Sequence, residues 1–185
     1  MSTLSELAVK YASDKFYKHS YIDVYERLFE GFSPKRVLEI GIGYPELMQR
    51  QLPSGVGYVH GSSLRMWSEL WPDAAIYGAD IRLDTHINEG RIRSLYVDQS
   101  SFDTMKTLGE YFGPFDLIID DGSHYLGDQF KSALALLPAL SCGGIYVIED
   151  LLPDNADFLV RLLQQGEVIR LGKTWDDNLV IVRGN

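Results

Sequence analysis

Arg36-Val37-Leu38-Glu39-Ile40-Gly41-Ile42-Gly43 reads as a short β-strand that breaks at its carboxyl end on two glycines. An apolar run this short does not make a helix, and the glycines after it permit a tight turn with a ligand close against the backbone. Similar runs recur at residues 75–80, 92–97, 115–119 and 144–148, and most end in Gly, Asp or Glu. Helix-like segments lie among them at residues 63–70, 102–111 and 125–137. That alternation predicts a doubly wound α/β fold, with a Rossmann-like parallel sheet built through right-handed crossovers. A further helix at residues 156–164 leads to apolar runs at 168–171 and 179–182, joined by the polar stretch 172–178, which predicts an antiparallel end to the sheet.

Composition bounds what this fold does. The chain has 185 residues and 45% hydrophobic content, enough for one sizeable core, so residues 1–185 are read as a single domain. Its 17 Lys+Arg against 26 Asp+Glu give a net charge of -9, a field that repels phosphate backbones and anionic lipid. Neither nucleic acid nor membrane is expected as a partner. The single cysteine, Cys142, has no partner within the chain and reads as a reduced thiol of a cytoplasmic protein. The start Met1-Ser2-Thr3-Leu4-Ser5-Glu6 lacks the basic and apolar run of a signal peptide, and no stretch approaches the ~20 apolar residues of a membrane helix. Residues 44–62 read as a long connection, mobile or ordered by a ligand.

In a sheet of this kind ligands bind beyond the carboxyl ends of the strands, where strand order reverses. Gly41 and Gly43 suit a nucleotide-like ligand, but the third glycine of a dinucleotide fingerprint is replaced by Glu46. Carboxylates at Glu39 and Glu46 would repel a pyrophosphate, whereas S-adenosylmethionine carries a cationic sulfonium and no phosphate. Asp80, ending the second strand, is positioned to accept ribose hydroxyls, and Asp98 and Gln99, ending the third, to bond an adenine edge. Taken singly, each of these acids also reads as a helix cap or a solvated turn residue.

The fourth strand ends Ile119-Asp120-Asp121-Gly122-Ser123-His124 and the fifth Ile148-Glu149-Asp150. Adjacent strands would bring four carboxylates and an imidazole to one edge, and such a cluster needs protons or a hard divalent cation such as Mg²⁺ to offset its repulsion. Helix capping by Asp120 and Asp150 is the competing reading. His124 has the chemistry of a general base toward a hydroxyl nucleophile, and a metal beside the acceptor oxygen would act on the same proton.

These segments resemble the metal-dependent sugar O-methyltransferases of macrolide tailoring, themselves similar to a cephalosporin-hydroxylase-like group. The resemblance runs from Asp14 to Asp150. It is carried by Asp14-Lys15 with His19, Tyr25-Glu26, Glu39 to Gly43, Gly61-Ser62-Ser63-Leu64-Arg65-Met66-Trp67, Tyr77 to Asp80, Asp98-Gln99-Ser100, Asp120 to His124 and Tyr146 to Asp150. It implies a class I methyltransferase sheet, S-adenosylmethionine as cofactor, and Mg²⁺ held by Asp121, Glu149 and Asp150. It also implies His124 as base, with Asp121 as its catalytic partner. Ser63 and Leu64 would lie near the methionine carboxylate, in accord with anion binding at a helix N-terminus. Glu39, Gly41, Gly43, Asp80, Asp98, Gln99 and Asp120 complete the expected cofactor set. The acceptor is expected to be a hydroxyl-bearing small molecule, a sugar in the family pattern, and a homo-oligomer is compatible with so short a chain.

Residues 1–33, with Tyr11, Phe16, Tyr17, Tyr21 and Tyr25, are expected to form a helical segment that both packs on the sheet and lids the site. Trp67, Trp71 and Met66 are expected in the core. Other classes compatible with the fold are a non-catalytic adenosyl-binding module and a related oxygenase or nicotinamide dehydrogenase; the missing third glycine argues against the last.

Overall fold

The apolar runs form the strands they predict. In a computed structural model that describes residues 2–185, leaving Met1 outside, they become β1 (Arg36–Ile40), β2 (Ala75–Asp80), β3 (Ile92–Tyr96), β4 (Phe115–Asp120), β5 (Leu140–Ile148), β6 (Glu167–Arg170) and β7 (Asn178–Arg183). One sheet takes them in the order β3-β2-β1-β4-β5-β7-β6. β1 pairs parallel with β2 on one side and β4 on the other, so the winding reverses between β1 and β4. β7 enters antiparallel between β5 and β6. The fold is thus doubly wound α/β, mostly parallel with an antiparallel end.

Among the described residues eight α-helices cover the sheet: α1 (Leu4–Lys10), α2 (Asp14–Tyr17) and α3 (Tyr21–Leu28) before β1; α4 (Pro45–Gln51) and α5 (Ser62–Leu70) between β1 and β2; α6 (Phe102–Phe112), α7 (Leu126–Leu136) and α8 (Pro153–Leu163) after β3, β4 and β5. α1 opens with a capping box in which Thr3 and Glu6 exchange side-chain and backbone bonds. The connection 44–62 is not a bare loop. α4 forms within it, started by Pro45 in the first turn but burying none of its residues. A helix without an apolar stripe leaves no period for a sequence reading to find.

The core is two layers, one on each face of the sheet. Val37, Leu117, Ile119, Ile145 and Val147 pack with Leu7, Tyr21, Tyr25, Leu64 and Trp67 from the N-terminal helices and α5. Leu38, Ile40, Ile118, Tyr146 and Ile148 pack with Met105, Leu108, Leu136 and Leu159 from α6, α7 and α8. This is the period of two that strands impose. Trp67 and Trp71 stack at 5.5 Å with Tyr25 and Phe29 edge-on to Trp67, and burial of each large ring contributes roughly 2–3 kcal/mol.

The same alternation sets the site. Glu39 lies opposite Ile119, and Ile119 opposite Val147. Two residues further on, Asp121 and Glu149 therefore share the face of Glu39, which is the face covered by the N-terminal helices. Asp120 and Tyr146 belong to the other face.

Candidate active site at the carboxyl edge of the sheet

A cavity of about 320 Å³ opens where β1 and β4 diverge, within the range of small-molecule sites. The turn after β1 forms its floor. Gly41 holds φ +87, and a Cβ there would run into the backbone carbonyl of Asp121, so only glycine lets the two strand ends approach. Asp80 braces this turn: Oδ2 accepts the Ile42 N–H at 2.9 Å and Oδ1 the Arg82 N–H at 2.8 Å. The Arg82 guanidinium lies over the Tyr44 ring, 4.4 Å from its centroid.

Gly41, Gly43, Asp80, Asp98, Gln99 and Ser63 all line the cavity. Asp98 Oδ1 accepts from the Ser100 N–H and hydroxyl at 2.9 and 2.7 Å. The Gln99 amide is engaged at both ends, donating to Asp120 Oδ1 at 2.7 Å and accepting from the Ser123 N–H at 2.7 Å. Asp120 is fully buried one layer behind, near the Tyr146 hydroxyl, and does not line the cavity. Burial pushes its carboxyl up to about 7, partly offset by the Gln99 amide. Leu64 faces the core and Glu39 lies behind the wall, whereas Ser62 lines the cavity with a buried hydroxyl that has no partner among the described residues. An orphaned buried hydroxyl at a helix start is a place for a ligand polar group.

The other half of the edge is ionic. Lys15, from α2, inserts its ammonium between Glu149 at 2.5 Å, Asp121 at 2.7 Å and Glu39 at 3.3 Å. Burial opposes the charge, but Asp121, Glu149 and Glu39 outweigh it and hold the lysine well above its ordinary value. Glu149 also accepts from the Tyr25 hydroxyl, and Glu39 from Trp67 Nε1 at 2.9 Å. Asp150 accepts from the Tyr21 hydroxyl at 2.7 Å and faces His19 and Lys18 at 3.3 Å each. His19 in turn meets the buried Asp177 at 3.2 Å.

Between the two halves stands His124, its Nε2 3.2 Å from Asp121 Oδ1 and its Nδ1 3.5 Å from Asp150 Oδ2. Asp121, His124 and Asp150 each offer one ligand atom, all within 4.8 Å of one another, and all three line the cavity. His124 and Asp150 both hold positive φ, 58 and 54, an uncommon conformation that costs roughly 1–2 kcal/mol per residue and persists where surrounding contacts enforce it. Burial lowers the His124 pKa, but the hydrogen bond and charge of Asp121, joined by Asp150, raise it to about 9. Burial acts on Asp121 in the opposite sense, yet Lys15 and His124 hold it below the usual carboxylate range.

Asp121, Asp150 and His124 thus come together as the strand ends suggest. Glu149 lies on the N-terminal side of this group, with its oxygens on Lys15 and Tyr25. The sequence reading gave no role to Tyr21 or Tyr25 at the acids, nor to the His19–Asp177 pair. The available signal was the spacing of Tyr21 and Tyr25, four apart on one helix face.

No family model matches the chain. Over 155 residues it is 39% identical to the mycinamicin VI 2''-O-methyltransferase of Micromonospora griseorubida, covering 80% of this chain and 36% of that protein. It is 38% identical over 155 residues to the 8-demethyl-8-(2-methoxy-alpha-L-rhamnosyl)-tetracenomycin-C 3'-O-methyltransferase of Streptomyces olivaceus, with the same coverage of 80% and 36%. The solved structure of the MycE methyltransferase from the mycinamycin biosynthetic pathway, in complex with Mg and SAH, superposes with a TM-score of 0.77 at 30% identity, over 100% of this chain and 55% of that one. The chain therefore spans 36% of the length of the curated relatives named here. Its fold is the Rossmann-like fold of that methyltransferase.

Proposed function

We propose that this chain is an S-adenosylmethionine-dependent, Mg²⁺-dependent O-methyltransferase acting on a hydroxyl of a sugar or sugar-bearing small molecule. The observation that carries the reading is the junction of an apolar-walled cavity at the β1/β4 divergence with Asp121, His124 and Asp150 within 4.8 Å of one another on its wall. The relatives support it, and a MycE structure that holds Mg, SAH and mycinamycin VI together supports the combination of cofactor, ion and sugar-bearing acceptor.

In this reading Gly41 and Gly43 give the backbone approach for the cofactor, and Ser62, Ser63 and the first turn of α5 receive its methionine carboxylate. Asp80 takes the ribose hydroxyls and Asp98 the adenine edge. Gln99 lines the cavity beside Asp98 and fixes the turn at Ser123, and Asp120 acts from behind it. Leu64 and Glu39 support the wall rather than touch the ligand.

The donor set fits a hard divalent cation: Asp121 and Asp150 converge beside the cavity and would hold it together with Glu149, whose oxygens here face Lys15 and Tyr25. When bound, such an ion lowers the pKa of an acceptor hydroxyl and fixes its position. Once a cation balances Asp121 and Asp150, which otherwise hold it protonated, His124 is neutral and takes the hydroxyl proton on its imidazole as the oxygen bonds the methyl carbon and the carbon–sulfur bond breaks. Alignment of oxygen, carbon and sulfur supplies the larger share of the acceleration. Residues 1–33, of which the structure describes 2–33, form the lid and substrate side of a single domain, in a cytoplasmic protein that works as a homo-oligomer. Among the described residues no helix is long and apolar enough to cross a membrane.

The test is methyl transfer from S-adenosylmethionine to a panel of rhamnosides and other deoxyhexosides, followed by mass spectrometry in Mg²⁺ and in EDTA. Methylation of a glycoside hydroxyl that EDTA abolishes supports the reading; S-adenosylmethionine left unconsumed across acceptors in Mg²⁺ counts against it.

A further inference from the structure

Lys15 is the only buried lysine among the described residues, with 1% of its side chain exposed. It stands on a four-residue helix, too short to hold its own position, yet its ammonium contacts carboxylates from the ends of β1, β4 and β5. Each of those carboxylates loses water on folding, and a buried charge without its partner is strongly destabilising. The contact also decides how Asp121 is presented. With Oδ2 on Lys15 at 2.7 Å, Oδ1 is the oxygen left facing His124 at 3.2 Å.

We propose that Lys15 is a positioning residue, the resident counter-cation that offsets the burial of the Glu39, Asp121 and Glu149 carboxylates and keeps them aimed in the absence of a divalent ion. It acts through those carboxylates and touches neither cofactor nor acceptor. The further statement that a divalent ion takes over the charge Lys15 supplies rests on the proposed function.

Thermal unfolding separates the two. In EDTA, Lys15→Met is expected to melt roughly 10 °C below the wild type, the shift that loss of one partner of a buried ion pair produces in a chain of this length. Removing one negative charge in the same place, in the double variant Lys15→Met/Glu149→Gln, is expected to recover most of that loss. Millimolar Mg²⁺ is expected to recover it too, and to shift Lys15→Met more than the wild type. Recovery by neither the second substitution nor Mg²⁺ overturns the proposal, because the lysine stem would then act by packing alone. Should Lys15→Met not fold, folding of the charge-balanced double variant supports the proposal and its failure to fold overturns it. Recovery by Glu149→Gln without any Mg²⁺ response in either background upholds the role of Lys15 and removes the divalent-ion part of the proposed function.

Discussion

The two halves of the carboxyl edge are built on different physics. Around β1, β2 and β3 the site is an open cavity whose acids meet backbone N–H groups: Asp80 holds the turns at Ile42 and Arg82, and Asp98 holds its own turn at Ser100. Around β4 and β5 the acids are closed in, paired with Lys15, Lys18, His19, Tyr21 and Tyr25 from a segment more than 100 residues away in sequence. Backbone bonds give the first half its shape at little electrostatic cost. The second half holds charges that stay buried only because opposite charges were brought from elsewhere in the chain. A ligand entering the first half meets prepared polar groups, whereas one entering the second exchanges partners with an ionic network already in place.

If the halves are separable in function, substitutions should divide between them. The largest effect is expected for His124→Ala, which removes the proposed base: turnover falls by about 10²- to 10⁴-fold while S-adenosylhomocysteine affinity changes little. An equal loss of affinity in that variant would break the division. The same residue gives a pH signature in EDTA. Its folded-state pKa of about 9 lies above the ordinary 6.5, so its stabilisation is full below pH 6.5 and is lost as pH rises through 9. The melting advantage of the wild type over His124→Asn should shrink across that window; an advantage that grows with pH would contradict the Asp121 and Asp150 contacts.

Asp80→Ala should act on the other half, weakening S-adenosylhomocysteine by roughly 10- to 100-fold through loss of charged hydrogen bonds, while the Mg²⁺-induced shift in melting stays at its wild-type size. The smallest effect is expected for Arg82→Gln, which removes an exposed stack on Tyr44 worth about 0.5–1 kcal/mol. Titration calorimetry should find the dissociation constant raised by no more than about five-fold, and a larger rise would make Arg82 a direct cofactor contact.

The division also explains what the sequence could reveal. Strands announce themselves through local apolar runs, and several cavity-lining residues sit at their ends, so the placement of Gly41, Gly43, Asp80 and Asp98 was legible from position alone. α4 was not, because it buries nothing. On the ionic side the acids were legible and their partners were not: four carboxylates at two strand ends needed protons or a cation, and Mg²⁺ was the cation their chemistry named. Lys15 supplies part of that charge from a helix 106 residues before Asp121 and 134 before Glu149, a pairing no local pattern encodes. Asp120 shows the same limit on a smaller scale. It is adjacent to Asp121 in sequence, but strand alternation turns it to the opposite face, against Gln99 and Tyr146.

The most direct measurement is isothermal titration of S-adenosylhomocysteine into the protein, once with Mg²⁺ and once in EDTA. Saturable binding is expected in both, because the cavity is formed without the ion. Absence of binding in both would contradict the assignment of the cavity to an adenosyl ligand.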